Sequence, residues 1–309
     1  EHTENFDNGT IGTGPYMIDS FNGVGVGYTL VANPNFREEV PYDKVNLLYM
    51  GDNSAKAMAL ESGQVDLVEN ITNVADIQKF QDSDDYTVDI ATGVRCGFSW
   101  MNFDGVLGNK TLRQAILMAI DYDTICNSKT IGGLYTPGFS VLPSNLSYGY
   151  EKLNNPYTYD PEGAKEVLEA AGWKDTDGDG IREKDGKKLT VRWLTYPSRQ
   201  ELPLLAESAQ ATLKDIGIDL DINCTADNNS VADDPTAWDV YAMANVQAPT
   251  GDPEYWFTVF ATSDATRNQG KYSSEKLDEL EKELSTEFDI EKRAELAVQM
   301  QQTVLDDHA

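Results

Sequence analysis

The stretch of residues 92–125 constrains the fold most, because it joins a strand pattern to a well-defined helix pattern. Residues 94–103 form a mostly apolar run that predicts a buried strand, although it contains an arginine and a tryptophan. Thr111 and Gln114 have the spacing of a capping box, which predicts the start of a helix. An apolar stripe with helical spacing follows, formed by Leu112, Ala115, Ile116, Ala119 and Ile120. The stretch contains no nucleophile–base pair and no cage of metal ligands, so its pattern predicts structure rather than catalysis.

The length and charge of the chain limit the classes of protein to which it can belong. Its 309 residues are enough for two lobes with their own apolar cores. The chain has 24 Lys and Arg against 52 Asp and Glu, a formal net charge of −28 at pH 7. Phosphate backbones are bound by clustered basic residues, so we expect no nucleic-acid partner and no attraction to anionic membrane surfaces. No apolar run approaches the roughly 20 residues of a membrane span.

The cysteines and histidines exclude several kinds of metal and redox site. Cys96, Cys126 and Cys224 are widely spaced and form no CxxC pair, which excludes a zinc ribbon and a dithiol redox motif. At most one disulfide can form within the chain. His2 and His308 are the only histidines, and both lie near the termini. We therefore expect no direct histidine coordination of a transition metal.

The first part of the chain alternates between strand and helix patterns. Strands are predicted at 16–21, 28–33, 45–50 and 65–68, helices at 54–62 and 73–81, and a two-piece strand region at 86–103. The strand–helix–strand order indicates an α/β unit.

The second part repeats this alternation with clearer signals. Asp160, Pro161 and Gly172 have the positions of a helix cap, a first helical residue and a helix end. The region 173–185 is predicted to be a polar loop. Further helices are predicted at 203–216, 273–284 and 289–305, and strands around Leu189, Val191 and Trp193, around Ile218, Leu220 and Ile222, and at 238–246. The fold class predicted for the whole chain is therefore α/β.

Several short phrases occur in one order along nearly the whole chain. They are GTGPY at 12–16, ALESGQVDL at 59–67, MNF at 101–103, LRQA at 112–115, AID at 119–121, the 164–173 segment ending in Gly-Trp, GDP at 251–253 and YSS at 272–274. Each phrase is weak alone, but the order is specific. It resembles the family 5 extracellular solute-binding proteins of ABC transporters, the peptide/nickel and dipeptide/oligopeptide-binding type.

The resemblance implies a two-lobe, periplasmic-binding-protein-like architecture of type II. It is a resemblance to the C-terminal part of such a protein, with one complete lobe and part of the other. Residues 1–91 would belong to lobe 1, residues 92–264 would form lobe 2, and the helices of 265–309 would return toward lobe 1. The connections between the lobes would lie near 91–94 and 261–266. No signal peptide is visible, so we expect the chain to be a piece of a longer, processed protein.

The resemblance also implies a function without catalysis. The protein would capture a short peptide, a metal chelate or another small polar solute outside the cell, as a monomer without a cofactor. It would then deliver this ligand to the transmembrane subunits of an ABC permease. The full-length protein would be extracellular, on the cell surface or in the periplasm, and anchored to the membrane as a lipoprotein.

Two other functions remain open at this point. With so many acidic residues, a pair of carboxylates for a hydrolase on an α/β scaffold is not excluded by counting. The sequence lacks G-x-S-x-G, H-E-x-x-H and glycine-rich phosphate-loop motifs. A calcium-stabilised adhesion module is the third alternative.

Four residues are candidates for ligand binding. Arg95 lies inside the predicted buried strand, where a guanidinium needs a partner, and it could clamp a ligand carboxylate or form an internal salt bridge. Trp100 and Trp256 lie beside the MNF and GDP phrases and could pack against a ligand or belong to the core. Gln247 is the nearest polar side chain in a loop, residues 245–253, that the resemblance places at the ligand.

The loop 245–253 departs from the pattern of peptide-binding relatives. Those relatives carry an aspartate here that pairs with the peptide's α-amino group, whereas this chain has Ala248 or Pro249. Nickel-type relatives share the Ala-Pro but also have a tryptophan that is absent here. The departure argues against ordinary peptide binding. Asp252 is predicted to cap a helix beginning at Pro253 rather than to bind ligand.

The loop after residue 174 resembles the front of a calcium-binding loop. Asp175, Asp177 and Asp179 occupy positions 1, 3 and 5, and Gly180 occupies position 6. The glutamate expected at position 12 is replaced by Gly186. A structural calcium ion is therefore one hypothesis, and a plain hairpin turn is the other.

Overall fold

The computed structural model describes residues 12–309 except Thr130, Gly132 and Gln200. The chain divides into two compact units, Glu1–Val88 and Asp89–Ala309. No helix in the described ranges is long and apolar enough to cross a membrane.

The described part of the first unit contains a three-stranded antiparallel sheet and two short helices. The strands are β1 (Tyr16–Phe21), β2 (Gly27–Ala32) and β3 (Lys44–Leu48), in the order β1-β2-β3. The helices are α1 (Asn53–Glu61) and α2 (Val74–Gln81). Asp52 accepts a hydrogen bond from the N–H of Ala55, and Asn73 accepts from the N–H groups of Ala75 and Asp76. The predicted strands at 16–21, 28–33 and 45–50 and both predicted helices are confirmed.

Two strand predictions in this part of the chain are wrong. Residues 65–68 form no strand, because the chain turns back on the end of α1. The N–H groups of Gln64 and Val65 donate to the carbonyl of Ala59 at 2.9 and 3.3 Å. The first piece of the region 86–103 is also irregular, and only its second piece forms a strand. The described part of the first unit is therefore a meander with two helices, not a strand–helix–strand unit.

Within its described residues, the second unit is built on a four-stranded mixed sheet. Its strands are β4 (Arg95–Met101), β7 (Thr190–Thr195), β8 (Asp219–Cys224) and β9 (Val240–Val246), and β5 (Glu183–Lys184) and β6 (Lys187–Lys188) form a small separate hairpin. The order across the sheet is β4-β9-β7-β8. Strand β7 is parallel to β8 and β9, while β4 is antiparallel to β9. The parallel strands confirm the predicted βαβ character of this region.

Eight helices surround this sheet within the described residues. They are α3 (Lys110–Ala119), α4 (Tyr122–Cys126), α5 (Pro161–Ala170), α6 (Glu201–Asp215), α7 (Asn228–Ala232), α8 (Glu254–Trp256), α9 (Glu275–Leu284) and α10 (Ile290–Asp306). Helix α8 continues directly into a π-helical turn at Phe257–Ala261. Helix α5 has the predicted Asp160 cap and Pro161 at its start. Gly217 follows α6 at φ +88°, a left-handed conformation that glycine adopts without strain.

The start of α3 differs from the prediction. The cap is Asn109, whose side chain accepts a hydrogen bond from the N–H of Thr111 at 2.9 Å. Thr111 is already inside the helix, so the predicted capping box of Thr111 and Gln114 is wrong. Asparagine is as good an N-cap as serine and better than threonine, which explains why the helix begins earlier.

Two apolar clusters lie on the opposite faces of the sheet. The aliphatic cluster packs α3, α5 and α6 against one face; it includes Leu112, Ile116, Leu168, Val191, Leu213 and Ile218. The aromatic cluster packs the α8 turn, α9 and α10 against the other face; it includes Trp100, Trp238, Tyr241, Phe257, Phe260 and Tyr272. Helices α9 and α10 thus share a core with the sheet of the second unit. The proposed division into lobes of a longer protein, at residues 91 and 264, stays a prediction.

Candidate functional site

Strand β4 carries two of the four predicted ligand-binding residues, Arg95 and Trp100, and a third, Gln247, directly follows its partner β9. Arg95 opens β4 opposite Val246, and Gln247 directly follows β9, where its N–H donates to the carbonyl of Val94 at 3.1 Å. Because side chains alternate along a strand, Trp100 and Gln247 lie on the face of the aromatic cluster. Arg95 leaves the sheet on the opposite face.

The surroundings of Arg95 differ from both sequence-based expectations. Its side chain is exposed rather than buried, since it stands at the first position of β4. Its Nη1 reaches only the carbonyl of Ala244, at 3.5 Å, and no ion pair to it occurs in the described part of the chain. The expectation of burial and the alternative of an internal salt bridge are therefore wrong for these residues. The guanidinium is therefore accessible to a binding partner that is not part of the core of the second unit.

Gln247 is buried without hydrogen-bond partners for its side chain. Its accessible surface is 0%, and neither Oε1 nor Nε2 has a partner among the described residues. The nearby Asn245 shares this face, and its Nδ2 is likewise buried and unpartnered. Leaving such a group unsatisfied costs about 1–3 kcal/mol in a folded protein. Contact of these amides with a ligand stays a prediction.

The thiol opposite Asn245 does not provide reactive chemistry. Cys96 pairs with Asn245 in the β4–β9 register, and burial raises the pKa of its thiol to about 11. It is therefore a neutral side chain at physiological pH. Cys126 and Cys224 are free as well, so no disulfide is formed.

Trp100 and Trp256 both line one cavity of about 550 Å³ within the second unit. They are also buried members of the aromatic cluster, where Trp100 contacts Phe98, Tyr241 and Phe260 at ring distances of 5.2 to 5.5 Å. Among the described residues, the indole N–H groups of both tryptophans have no hydrogen-bond partner. The same holds for Trp193, which also lines the cavity. Core packing is thus shown for both residues, while contact with a ligand stays a prediction.

The four predicted residues do not converge on a single pocket in the second unit. Arg95 and Gln247 are absent from the residues that line the cavity of Trp100 and Trp256. The sheet instead presents a polar end, formed by Arg95, Asn245 and Gln247, and a separate apolar cavity beside β4.

The loop 245–253 is held in place by residues that were not predicted from the sequence. Arg293 on α10 donates from Nη2 to both carboxylate oxygens of Asp252 at 2.8 Å, and to Glu254 at 3.1 Å. Asp252 also accepts a hydrogen bond from the N–H of Glu254 at 2.9 Å. Because α8 begins at Glu254 and Pro253 is its N-cap, the predicted capping of a helix that starts at Pro253 is wrong. Burial acts to lower the pKa of Arg293, but the hydrogen bonds to Glu254 and Asp252 outweigh it and raise that pKa. The Tyr148 hydroxyl donates to the carbonyl of Gly251 and holds the other side of the loop.

In the acidic loop after α5, the carboxylates that lie close together are only partly those that were predicted as calcium ligands. Oxygen atoms of Asp175, Asp177 and Glu183 lie within 4.8 Å of one another. Asp179 instead accepts a hydrogen bond from the ammonium of Lys188, which also lies 3.4 Å from Asp177. This hydrogen bond lowers the pKa of Asp179 and raises that of Lys188. Glu183, at position 9 of the loop, was not predicted because the expected ligand was sought at position 12.

The comparisons with known proteins define the class. The profile of the bacterial extracellular solute-binding proteins, family 5, matches residues 1–268, so the chain belongs to this family. Its fold is the two-lobe, periplasmic-binding-protein-like α/β fold of that family, present in part. The chain superposes on the crystal structure of NikA from Brucella suis in complex with Fe(III)-EDTA, with a TM-score of 0.84 at 21% identity, over 96% of this chain and 61% of that one.

Two curated relatives show how much of such a protein the chain spans. It is 25% identical over 291 residues to the nickel-binding protein NikA of Staphylococcus aureus (strain NCTC 8325 / PS 47), covering 92% of this chain and 55% of the relative. It is 28% identical over 307 residues to the oligopeptide-binding protein AppA of Bacillus subtilis (strain 168), covering 96% and 55%. The chain therefore spans about half the length of the curated relatives that it matches.

Proposed function

We propose that the full-length protein is the extracellular solute-binding component of an ABC importer. It captures a small ligand between two lobes and delivers it to the permease, and lobe closure signals that the ligand is bound. The observation that carries this proposal is the family match over residues 1–268. It agrees with relatives named for nickel binding and for oligopeptide binding. The protein would act as a monomer at the cell surface or in the periplasm, anchored to the membrane.

The ligand would be a short peptide, a metal chelate or another small polar solute. Gln247 offers one unpartnered acceptor and one unpartnered donor group. Arg95 offers an exposed guanidinium that suits a carboxylate, which both peptides and organic chelators carry. Trp100 and Trp256 would contribute apolar surface. The loop 245–253 has Ala248 or Pro249 at the place where the resemblance expects the aspartate of peptide-binding relatives, and this favours ligands without a free α-amino group.

The proposed function is binding without turnover. The two curated relatives reported above are named as binding proteins, and neither name describes a hydrolase. No observation favours the hydrolase alternative.

A thermal-shift screen of the full-length protein tests this function. The panel contains short peptides, free amino acids, and nickel or iron with organic chelators, each with the ligand-free protein as control. We expect one class to raise the melting temperature in a saturable way while the ligand is recovered unchanged. Turnover of a glycoside or peptide, lost on a single Asp or Glu substitution, would contradict the proposal.

Arg95→Ala tests the guanidinium separately. Weaker binding of a carboxylate ligand with unchanged stability supports a clamp. Unchanged binding shows that Arg95 does not contact the ligand.

We also propose that the loop 175–183 holds a structural calcium ion. The carboxylate oxygens of Asp175, Asp177 and Glu183 converge there, and hard cations prefer such oxygen ligands. Lys188 would compete with the ion for Asp177 and Asp179. A calcium-induced rise in melting temperature that disappears in Asp177→Ala and in Glu183→Ala supports the proposal. The absence of any shift in the unaltered protein contradicts it.

A further inference from the structure

The loop 245–253 leaves the sheet at Gln247 and is tied to helix α10 shortly afterwards. Arg293, near the start of α10, donates from Nη2 to both carboxylate oxygens of Asp252 at 2.8 Å and to Glu254 at 3.1 Å. The side chain of Arg293 is only 16% exposed, so water and salt screen this ion pair little. Asp252 is therefore a firmly held point of the loop.

The other terminal nitrogen of Arg293 binds the end of helix α9. Nη1 donates to the carbonyls of Leu284 at 2.6 Å and Glu287 at 2.8 Å. Leu284 is itself a fully buried member of the aromatic cluster. One planar guanidinium thus connects the loop to the corner between α9 and α10, a geometry that the single ammonium of a lysine would not reproduce.

Helix α10 also holds the other side of the loop, through Tyr148. The hydroxyl of Tyr148 donates to the carbonyl of Gly251. The carbonyl of Tyr148 in turn accepts from Nε2 of Gln301 on α10 at 3.0 Å. Gln301 is buried, and its Oε1 accepts from the hydroxyl of Ser140 at 2.8 Å. The loop is therefore held on both sides by side chains whose position depends on α10.

A short turn connects these contacts with Gln247. The N–H of Gly251 donates to the carbonyl of Ala248 at 3.0 Å, and Ala248 is buried. The N–H of Gln247 donates to the carbonyl of Val94 at 3.1 Å, so the turn is held at both of its ends. The side chain of Gln247 has no hydrogen bonds to the described residues. Its position is therefore set by packing and by the backbone of the loop.

We propose that Arg293 is a positioning residue, which acts through Asp252 to hold the loop 245–253 so that the amide of Gln247 stays buried and unpartnered until a ligand binds. A buried amide without partners gains free energy by moving to water, so a contact elsewhere must oppose this movement. A loop that is ordered beforehand also avoids a loss of conformational entropy during binding. The consequence for ligand capture rests on the proposed function, whereas the hold on Gln247 does not.

Two variants separate this role from a general contribution to stability. Asp252→Ala removes the carboxylate and leaves the hydrogen bonds from Arg293 to α9 in place. Arg293→Gln removes both sets of contacts. The loss of the pair between Arg293 and Asp252 is common to the two variants. Lys292→Gln is the matched control, because it makes the same change of charge at an exposed neighbour whose ion pair is with Glu287.

Calorimetry on the full-length protein tests the consequence for binding, with N-acetyl-trialanine and the nickel complex of citrate as probes. We expect Asp252→Ala and Arg293→Gln to bind at least about 10-fold more weakly the probe that the unaltered protein binds. Lys292→Gln should bind it as the unaltered protein does. Equal affinities of Asp252→Ala and the unaltered protein would overturn the positioning role. If the unaltered protein binds neither probe, the proposed function fails for these two classes, and measurements without ligand decide on the role of Arg293.

A double-mutant cycle without ligand, measured by urea unfolding of the full-length protein, tests the hold on Gln247. We expect Gln247→Leu alone to raise the ratio of folded to unfolded protein about 5- to 30-fold. In the Asp252→Ala and Arg293→Gln backgrounds the amide can reach water, so the same substitution should change this ratio less than about 2-fold. A purely structural Arg293 would lower stability to the same extent with and without Gln247. Equal effects of Gln247→Leu in all three backgrounds, including no effect in any of them, would overturn the proposal.

Discussion

The two faces of the four-stranded sheet use different kinds of side chain. Among the described residues, the aliphatic cluster consists mainly of Leu, Ile, Val and Ala, and only two of its buried members are aromatic, Trp173 and Trp193. Seven buried aromatic residues form much of the aromatic cluster. The unpartnered amides of Asn245 and Gln247 lie on the aromatic face alone.

We infer from this difference that the aliphatic face mainly contributes stability and that the polar end of the aromatic face mainly contributes ligand binding. Small branched side chains interdigitate closely and satisfy the packing of α3, α5 and α6. Buried side-chain amides without partners lower stability, and native proteins retain such groups mainly at functional sites. We therefore expect substitutions on the aliphatic face to change stability and substitutions at the polar end of the aromatic face to change binding.

The largest effect is expected on the aliphatic face. Leu213 is fully buried against the sheet, and Leu213→Ala removes its side chain from a closely packed region. We expect a loss of about 3–5 kcal/mol in the free energy of unfolding, measured with urea. The exposed neighbour substitution Lys214→Ala is the control. A loss below about 1 kcal/mol for Leu213→Ala would show that this face is loosely packed and would remove the contrast.

A second large effect is expected where the two faces are joined. Arg113 on α3 is buried and donates to the carbonyls of Leu107, Gly108, Asp307 and His308 at 2.7 to 3.2 Å. Its guanidinium also lies 4.0 Å from the ring of Phe103. Arg113→Met would leave these carbonyls unpaired, and we expect a loss of about 2–4 kcal/mol in urea unfolding.

Arg113→Lys is the matched variant, because it keeps the charge without the planar fork of donors. Its stability should lie between that of the unaltered protein and that of Arg113→Met. If Arg113→Met is as stable as the unaltered protein, the end of α10 does not depend on α3.

An effect of opposite sign is expected at the polar end of the aromatic face. Gln247→Leu replaces a buried amide without partners by an apolar side chain of similar size. We expect the ligand-free protein to gain about 1–2 kcal/mol in the free energy of unfolding. Gln247→Asn keeps the polar group and should give no gain. A clear loss of stability in Gln247→Leu would mean that the amide is satisfied in the folded protein, for example by an ordered water.

The smallest effect is expected in the acidic loop on the surface. The hydrogen bond from Lys188 lowers the pKa of Asp179. It therefore contributes to the stability of the folded protein at pH values above the ordinary pKa of an aspartate. It is lost as the pH falls through the lowered pKa. Both groups are exposed, so Lys188→Met should change stability little. It should weaken the loss of stability at acidic pH without abolishing it, because the N–H of Ile181 also lowers the pKa of Asp179. Because the variant lacks the competing ammonium, its melting temperature should rise more with calcium; an unchanged calcium response would contradict the competition.

Secondary-structure elements were predicted correctly where the residues that determine them are close together in the sequence. The caps and ends of α5 and α6 depend on Asp160, Pro161 and Gly217, which act within a few residues, and these elements were predicted well. The cap of α3 was misassigned because Asn109 and Thr111 are both good candidates and only the backbone decides between them. The prediction of a strand at 65–68 was wrong because a strand needs a neighbouring strand to pair with. A sequence of four residues does not specify such a neighbour.

The site was predictable only in part, because its properties depend on distant residues. Gln247 was selected through the family resemblance, but its lack of partners is a result of the whole β4–β9 arrangement. Arg293 and Tyr148 fix the loop around Asp252 from 41 and 103 residues away along the chain. Arg95 has an apolar local sequence, yet its place at the end of β4 leaves it exposed.

The most direct test of this account is a calorimetric titration of the full-length protein with the ligand found by the thermal-shift screen. The unaltered protein is compared with Gln247→Leu, and the ligand is recovered afterwards to check for turnover. We predict binding without turnover, and an affinity at least about 10-fold lower in Gln247→Leu although that variant is no less stable. Equal affinities of the two proteins, or a chemically altered ligand, would contradict the assignment of the polar end of β4 and β9 to ligand binding.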